Sequence, residues 1–476
     1  MLEKALSFGG WPGLILLISG NLFGICAWLL FFIHQKYKET LFCTVLLFPF
    51  MFYAGQALGI VSYSTDDSVG TFHQRIGLTS LLITLLGVVL LMRGRLKRPN
   101  NRSGRIIELL MWCFSISVTV SQLVTHEVLS AILLSFGATW QFLIFFYLLI
   151  SLLKNEQDIL QLLKAVFAMS LLNILVRVVA KGEPWILDPR SVQAGIHGTF
   201  GSEAGRVGSG ALGLAASYSG YLAILITLAF GVLLLTKKKK YVVYIAIAGV
   251  ELLNTFTRGG ILIVSFLGLL ILFKSTRGSV LKVMFLSFFA ALPLSGIVWS
   301  YLTARGFSLN FSEIANVTDR IKLYSIFFDN YAFPFWGNGI LNRTVFQLSA
   351  WRSAVVENAY VDVLESGGVL ALFFFALISV YSVYVLIRLS RKQERITVWG
   401  KASLSLAPYF LVALIQWVVF ANTTSTSVMA YFPYEGMAIF WMVCFSAAVF
   451  MNMRHTTVPF QITVARQSTV NYEAKR

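Results

Sequence analysis

Charged residues are scarce in this sequence. Asp, Glu, Lys and Arg make up 12% of its 476 residues, whereas hydrophobic residues make up 57%. Soluble domains typically carry about twice that share of charge. The composition therefore excludes an ordinary soluble fold and predicts an all-α membrane protein, a single polytopic domain over residues 1–476. No internal repeat and no separate soluble domain is visible in it.

Cysteine is sparse as well. Cys26, Cys43, Cys113 and Cys444 all fall within apolar segments, so we expect neither a disulfide framework nor a metal site. The net charge of +17 does not require a nucleic-acid partner. Anionic headgroups of membrane lipids are sufficient partners for it.

Long apolar runs separate short polar loops along the whole chain. A helix needs about 20 apolar residues to cross a bilayer. The apolar runs therefore predict about thirteen transmembrane helices, with twelve to fourteen as the range. In chain order the predicted spans are 11–33, 41–63, 76–92, 106–125, 128–153, 159–180, 209–235, the two short arms of 241–273, 280–301, 356–387, 402–421 and 434–453.

The distribution of charge assigns a side to each loop. Roughly two thirds of the lysines and arginines fall in the predicted inner segments, while most acidic residues fall in the outer ones, as the positive-inside rule requires. This orientation makes 181–207 and 302–355 extracytoplasmic loops and 454–476 a cytoplasmic tail. Any chemistry is therefore expected on the outer face.

The segment 241–273 organises the predicted site. Lys237–Lys240 precede it and Lys274 follows it, so both of its ends lie inside and the chain must turn near the outer face. Its short arms hold Arg258 at or below that surface, which makes this arginine a functional-site candidate. The alternative is an arginine that extends to the headgroups. We expect Glu251 to pair with Arg258 or with another outer cation.

Two outer loops offer further cations. The glycine-rich end of 181–207 leads to Arg206 at the start of a span, a plausible phosphate ligand or an ordinary surface arginine. The loop 302–355 mixes aromatic residues with Arg320 and Arg343. Its pattern predicts an interfacial helix that ends near Pro334, although a solvated loop with such a helix explains the same residues.

A group of acidic residues opens the span at 356–387. Glu357 stands at the border between loop and membrane, where a partly desolvated carboxylate can act as a general base on a hydroxyl. Asp362 and Glu365 follow in the first turns, which is unusual for a span in lipid. Aromatic residues nearby, such as Trp336 and Tyr360, suit either sugar stacking or a membrane-interface belt.

Three segments resemble motifs of the O-antigen ligase and O-antigen polymerase superfamily. They are Thr257-Arg258-Gly259, the stretch from Asp319-Arg320 to Phe335-Trp336-Gly337-Asn338-Gly339, and Glu357-Asn358-Ala359-Tyr360 with Leu364 and Gly368. Their order and approximate spacing agree with the family from about residue 195 to residue 375. The first half of the chain matches only as a generic set of spans.

The resemblance implies a GT-C-like glycosyltransferase of the bacterial plasma membrane, multi-pass, with its active site on the extracytoplasmic side and with no metal or other cofactor. The donor would be an undecaprenyl-diphosphate-linked oligosaccharide. By resemblance, Glu357 and Arg258 would be catalytic, and the residues that bind substrate or diphosphate would be Arg206, Arg320, Arg343, Asn358 and Tyr360.

The departure at residue 357 bears on which member of the family this chain resembles. Ligases have a histidine where this sequence has Glu357, whereas polymerases vary there and often have an acid. The resemblance therefore favours a repeat-unit polymerase, with a chain-length regulator as an expected protein partner. Ligase-type transfer to another acceptor is the alternative within the family. A flippase or other transporter is the alternative outside it, which the mostly uncharged middles of the spans disfavour.

Overall fold

The chain is described from a computed structural model, which covers residues 10–57, 78–181, 215–255, 325, 328–329, 335–339, 358–397, 406–420 and 435–453. The regular elements in these ranges are helices, and no strand occurs among them. They are α1 (Gly10–Ile33), α2 (Tyr37–Ala57), α3 (Leu78–Met92), α4 (Arg102–Thr125), α5 (Val128–Leu152, with a π-helical turn at Phe136–Trp140), α6 (Glu156–Lys181), α7 (Ala215–Thr236), α8 (Lys240–Asn254), α9 (Ala359–Thr397), α10 (Ala407–Phe420) and α11 (Glu435–Asn452).

Six of these helices are long and apolar enough to cross a membrane, namely α1, α4, α5, α6, α7 and α9. This confirms the predicted all-α, multi-pass membrane character. The other described helices also coincide with predicted spans; α8, for example, corresponds to the first arm of 241–273. The second arm and the predicted span 280–301 lie outside the described residues.

A cluster of aromatic side chains forms the centre of the bundle. The ring of Trp441 in α11 lies 5.9 Å from Phe114 of α4, 5.7 Å from Phe142 of α5 and 6.2 Å from Phe375 of α9, between ring centroids. These four residues are buried. Because each aromatic side chain buries a large apolar area, the cluster joins the consecutive helices α4 and α5 to α9 and α11, which come much later in the chain.

Helix α1 lies at the periphery. Its glycines at 20 and 24 face the side chains of Phe50 and Leu47 in α2, so that the two helices approach closely. Most of its large apolar side chains, among them Ile18 and Phe23, are exposed. Such a surface suits hydrocarbon and is costly in water.

Several polar contacts join helix ends at one end of the bundle, which we call the basic end. Lys38 pairs with Asp158 at 2.8 Å, and the backbone N–H of Asn100 donates to Asn452 Oδ1 at 2.8 Å. Arg98 Nε donates to Glu108 Oε1 at 2.7 Å. This hydrogen bond and the charge of Glu108 raise the pKa of the Arg98 guanidinium. These contacts bring together several of the described residues that the charge pattern assigns to the inner side.

Labelling of single cysteines tests the predicted sidedness. Phe328 in the predicted outer loop and Arg95 in the basic loop are both exposed. In a variant that lacks the four native cysteines, a membrane-impermeant maleimide should modify Phe328→Cys in intact cells. It should modify Arg95→Cys only after the membrane is permeabilised. The opposite pattern would invert the topology.

Candidate functional site

Most of the residues predicted for the site lie outside the described residues. These are Glu357, Arg258, Arg206, Arg320 and Arg343. Asn358 and Tyr360 are described, and so are the turn at 335–339 and the segment 359–368, which carry parts of two of the three family-like motifs. The geometry around them can therefore be built from the start of α9 outward.

Asn358 caps the start of α9. Its side-chain oxygen accepts hydrogen bonds from the backbone N–H groups of Tyr360, at 2.9 Å, and Val361, at 3.2 Å. Asparagine is a favoured N-cap because it satisfies amide groups that have no helical partner. The Tyr360 hydroxyl donates to the carbonyl of Val418 in α10 at 3.3 Å. Both side chains have structural partners here, and their contact with substrate stays a prediction.

Helix α9 is interrupted at Gly368. Its φ of 79° and ψ of −177° lie in a region that is accessible almost only to glycine. An interruption frees the carbonyl groups of the preceding turn, which must find other partners when they are buried. Gly368 belongs to the third family-like motif, and its backbone conformation is one that requires glycine.

Two distant segments supply those partners. The backbone N–H of Asn338 donates to the carbonyl of Glu365 at 2.7 Å. From α4, Ser121 Oγ and Gln122 Nε2 donate to the carbonyl of Ser366 at 2.8 and 3.2 Å. The first segment of α9 is thus completed by the turn at 335–339 and by the end of α4. We call these three parts together the glycine junction.

The turn at 335–339 fits into the junction because it contains glycine. Gly337 and Gly339 have φ values of 76° and 84°. A Cβ added to Gly337 would lie 2.9 Å from the carbonyl carbon of Gly367, and one added to Gly339 would lie 2.7 Å from His126 Nε2. Such distances leave no room for a side chain. The Gly-x-Gly turn and the start of α9, which the sequence treats as separate motifs, are therefore packed together.

The sequence analysis missed the contribution of α4. Its end carries Ser117, Ser121 and Thr125, spaced four residues apart, with Gln122 and His126 beside them. This spacing places the three hydroxyl groups on one face of the helix, and that polar face inside a span was a usable signal. Helix α4 rises about 34 Å from the basic end to the glycine junction, so the two lie at opposite ends of the bundle.

Two acidic side chains lie buried beside the junction. Asp362 is 3% exposed and Glu365 is 5% exposed, both in the first segment of α9. Among the described residues that form the junction, no lysine or arginine occurs beside these two acidic residues. The described part of the junction therefore offers neither of the side chains that usually bind phosphate.

A second polar cluster lies within the bundle between α6, α7 and α8. Arg177 Nη2 pairs with Glu251 Oε2 at 3.0 Å, and the side chains of both residues are 0% exposed. The Tyr218 hydroxyl donates to Glu251 Oε1 at 3.1 Å, and Asn254 Nδ2 lies 3.5 Å from Oε2. Glu251 therefore pairs with Arg177. The sequence analysis did not single out Arg177, although an arginine within an apolar span is a signal in itself.

In the part of the chain that the structure describes, no group of three or more His, Cys, Asp or Glu side chains is placed to hold a metal ion. Comparison with protein-family models and with curated proteins finds no match to this chain. The sequence motifs and the geometry of the glycine junction are therefore the features of the chain that bear on its function.

Proposed function

We propose that this chain is a polysaccharide repeat-unit polymerase, a membrane glycosyltransferase on a GT-C-like bundle of about thirteen spans. It transfers an undecaprenyl-diphosphate-linked glycan to the end of another lipid-linked glycan on the extracytoplasmic face of the bacterial plasma membrane. The observation that supports this most is the glycine junction, since it packs together the turn at 335–339 and the start of α9, two of the three segments that resemble the family.

The proposed chemistry is a single displacement at the anomeric carbon of the donor sugar. A hydroxyl group of the acceptor sugar forms the new C–O bond, its proton passes to Glu357, and the bond from C1 to the diphosphate oxygen breaks. Arg206, Arg258, Arg320 and Arg343 would neutralise the charge that develops on the departing lipid diphosphate. Neither the donor nor this step requires a metal ion.

One observation favours a second candidate, a transporter of lipid-linked oligosaccharide. Glu251 lies roughly 16 Å along α8 from Lys240, so the Arg177–Glu251 pair is buried within the bundle. Charged residues at such depth are typical of transport pathways. Against this candidate, the pair is held by Tyr218 and Asn254, which suits a fixed structural contact.

Reconstitution tests the proposal directly. Purified protein in liposomes, supplied with lipid-linked repeat unit alone, should produce a ladder of longer glycans. Glu357→Gln should slow elongation by roughly 10²–10⁴-fold, the usual contribution of a general base. Arg258→Ala should abolish the ladder. Arg95→Ala, an exposed residue of the basic end, is the matched control and should leave the ladder unchanged.

Other products would identify the alternatives. Movement of intact lipid-linked glycan between leaflets without elongation would identify a transporter. A single transfer to a different acceptor, with no ladder, would identify a ligase. Full elongation by Glu357→Gln would remove that residue from the role of base.

A further inference from the structure

Two aromatic side chains project from the glycine junction. Phe335 is 54% exposed and Trp336 is 36% exposed, and their rings meet edge to face with centroids 4.9 Å apart. Exposed aromatic side chains at a membrane surface contact either the lipid headgroups or a ligand.

The backbone beneath these rings is fixed by its surroundings. The carbonyl oxygen of Phe335 packs directly against Gly368, and the N–H of Gly337 would lie 2.5 Å from a Cβ at that glycine. Asn338, next in the chain, is bonded through its N–H to the carbonyl of Glu365. The aromatic pair is therefore attached to an ordered turn. This lowers the entropy cost of ordering the protein when a ligand binds.

The chemistry around the pair selects the ligand. The turn from Phe335 to Gly339 carries no charged side chain, and the charged residues of the described junction, Asp362 and Glu365, are acidic. Such a turn offers no cationic side chain to a diphosphate. A pyranose ring fits the exposed aromatic pair, because its C–H face is complementary to the electron-rich face of an aromatic ring.

We propose that Phe335 and Trp336 form a platform on which a sugar ring of the glycan substrate stacks. This inference rests on the proposed function and adds to it a subsite that recognises the carbohydrate. Residues that only anchor the loop in lipid headgroups would affect membrane insertion and leave glycan affinity unchanged.

Binding of free glycan tests the platform without turnover. The probe is the repeat-unit oligosaccharide, released by partial hydrolysis from the surface polysaccharide of the source cells and titrated into detergent-solubilised full-length protein. Trp336→Ala should raise the dissociation constant of the oligosaccharide roughly tenfold, the scale of one aromatic contact. Trp336→Phe should keep most of the affinity. In the liposome assay, Trp336→Ala should raise KM with little change in kcat.

Controls separate the platform from a structural role. Trp11, exposed at the start of α1, provides the matched variant: Trp11→Ala should leave glycan affinity unchanged. The thermal midpoint is measured for each variant, and Phe335→Ala replaces Trp336→Ala in the comparison if the latter does not fold.

The outcomes distinguish this inference from the proposed function. Unchanged affinity and KM in both aromatic variants would overturn the platform even if the wild-type protein elongates glycans. Failure of the wild-type protein to bind the oligosaccharide would overturn it as well. Binding that depends on Trp336 in a protein that does not elongate glycans would support the platform and refute the polymerase.

Discussion

Replacing Arg177 by alanine is expected to destabilise the protein by about 3–5 kcal/mol, the range for breaking a buried ion pair. The substitution leaves the carboxylate of Glu251 inside the bundle, where the side chains of both partners are 0% exposed. Its remaining hydrogen-bond partners among the described residues are the hydroxyl of Tyr218 and the amide of Asn254. Glu251→Ala should destabilise comparably by leaving the guanidinium without its carboxylate. Reversible SDS titration in mixed micelles measures both effects.

The double variant Arg177→Leu/Glu251→Leu separates charge from packing. It removes both charges at once and fills much of the space with apolar groups, so it should be more stable than either single alanine variant. Lys239→Ala, at an exposed position, is the control for loss of a cation and should change stability by less than about 0.5 kcal/mol. If Arg177→Ala falls in that same range, the pair does not hold α6 and α8 together.

Replacing Gly368 by alanine is expected to cost roughly 3 kcal/mol or more, since it combines two penalties. Alanine adopts a φ of 79° only with strain, and its Cβ would collide with the carbonyl oxygen of Phe335. The turn at 335–339 must then move away from α9. The free energy of unfolding should fall, and glycan elongation should be lost with it.

Substitutions at two other glycines separate the backbone strain from the steric collision. Gly94 has a φ of 62° and open space around its Cβ, so Gly94→Ala should show the backbone strain alone, about 1 kcal/mol. Gly249 lies within α8 and also has open space; Gly249→Ala should be neutral or stabilise by up to about 1 kcal/mol. An effect of Gly368→Ala no larger than that of Gly94→Ala would show that the contact with the turn is not tight.

The sequence could predict the helices well, because the length of an apolar run and the side on which lysines lie are both local properties. The predicted span 11–33 corresponds to α1 at Gly10–Ile33, and the predicted span 128–153 corresponds to α5 at Val128–Leu152. Two of the basic residues that were assigned to the inner side, Lys38 and Arg98, lie at the basic end, where Lys38 contacts Asp158 and Arg98 contacts Glu108.

The partners within the site could not be predicted in the same way, because they depend on contacts between distant segments. Nothing near Glu251 in the chain indicates Arg177, which lies 74 residues away. The bond from Ser121 to Ser366 joins residues 245 apart. The π-helical turn at Phe136–Trp140 also has no Pro or Gly-Ser pattern that would have indicated it. Residue types therefore indicate which side chains are candidates for the site. Which of them contact each other is decided by the packing of the helices.

The hydrogen bonds that close the first segment of α9 have a consequence for biogenesis. During synthesis α4 emerges long before α9. The hydrogen bonds from Ser121 and Gln122 to the carbonyl of Ser366 can therefore form only after α9 has been made. The turn at 335–339 likewise gains its partner, the carbonyl of Glu365, only when α9 has been inserted. A nascent chain that ends before α9 would therefore leave the glycine junction unassembled, and this junction is among the last parts of the protein to mature.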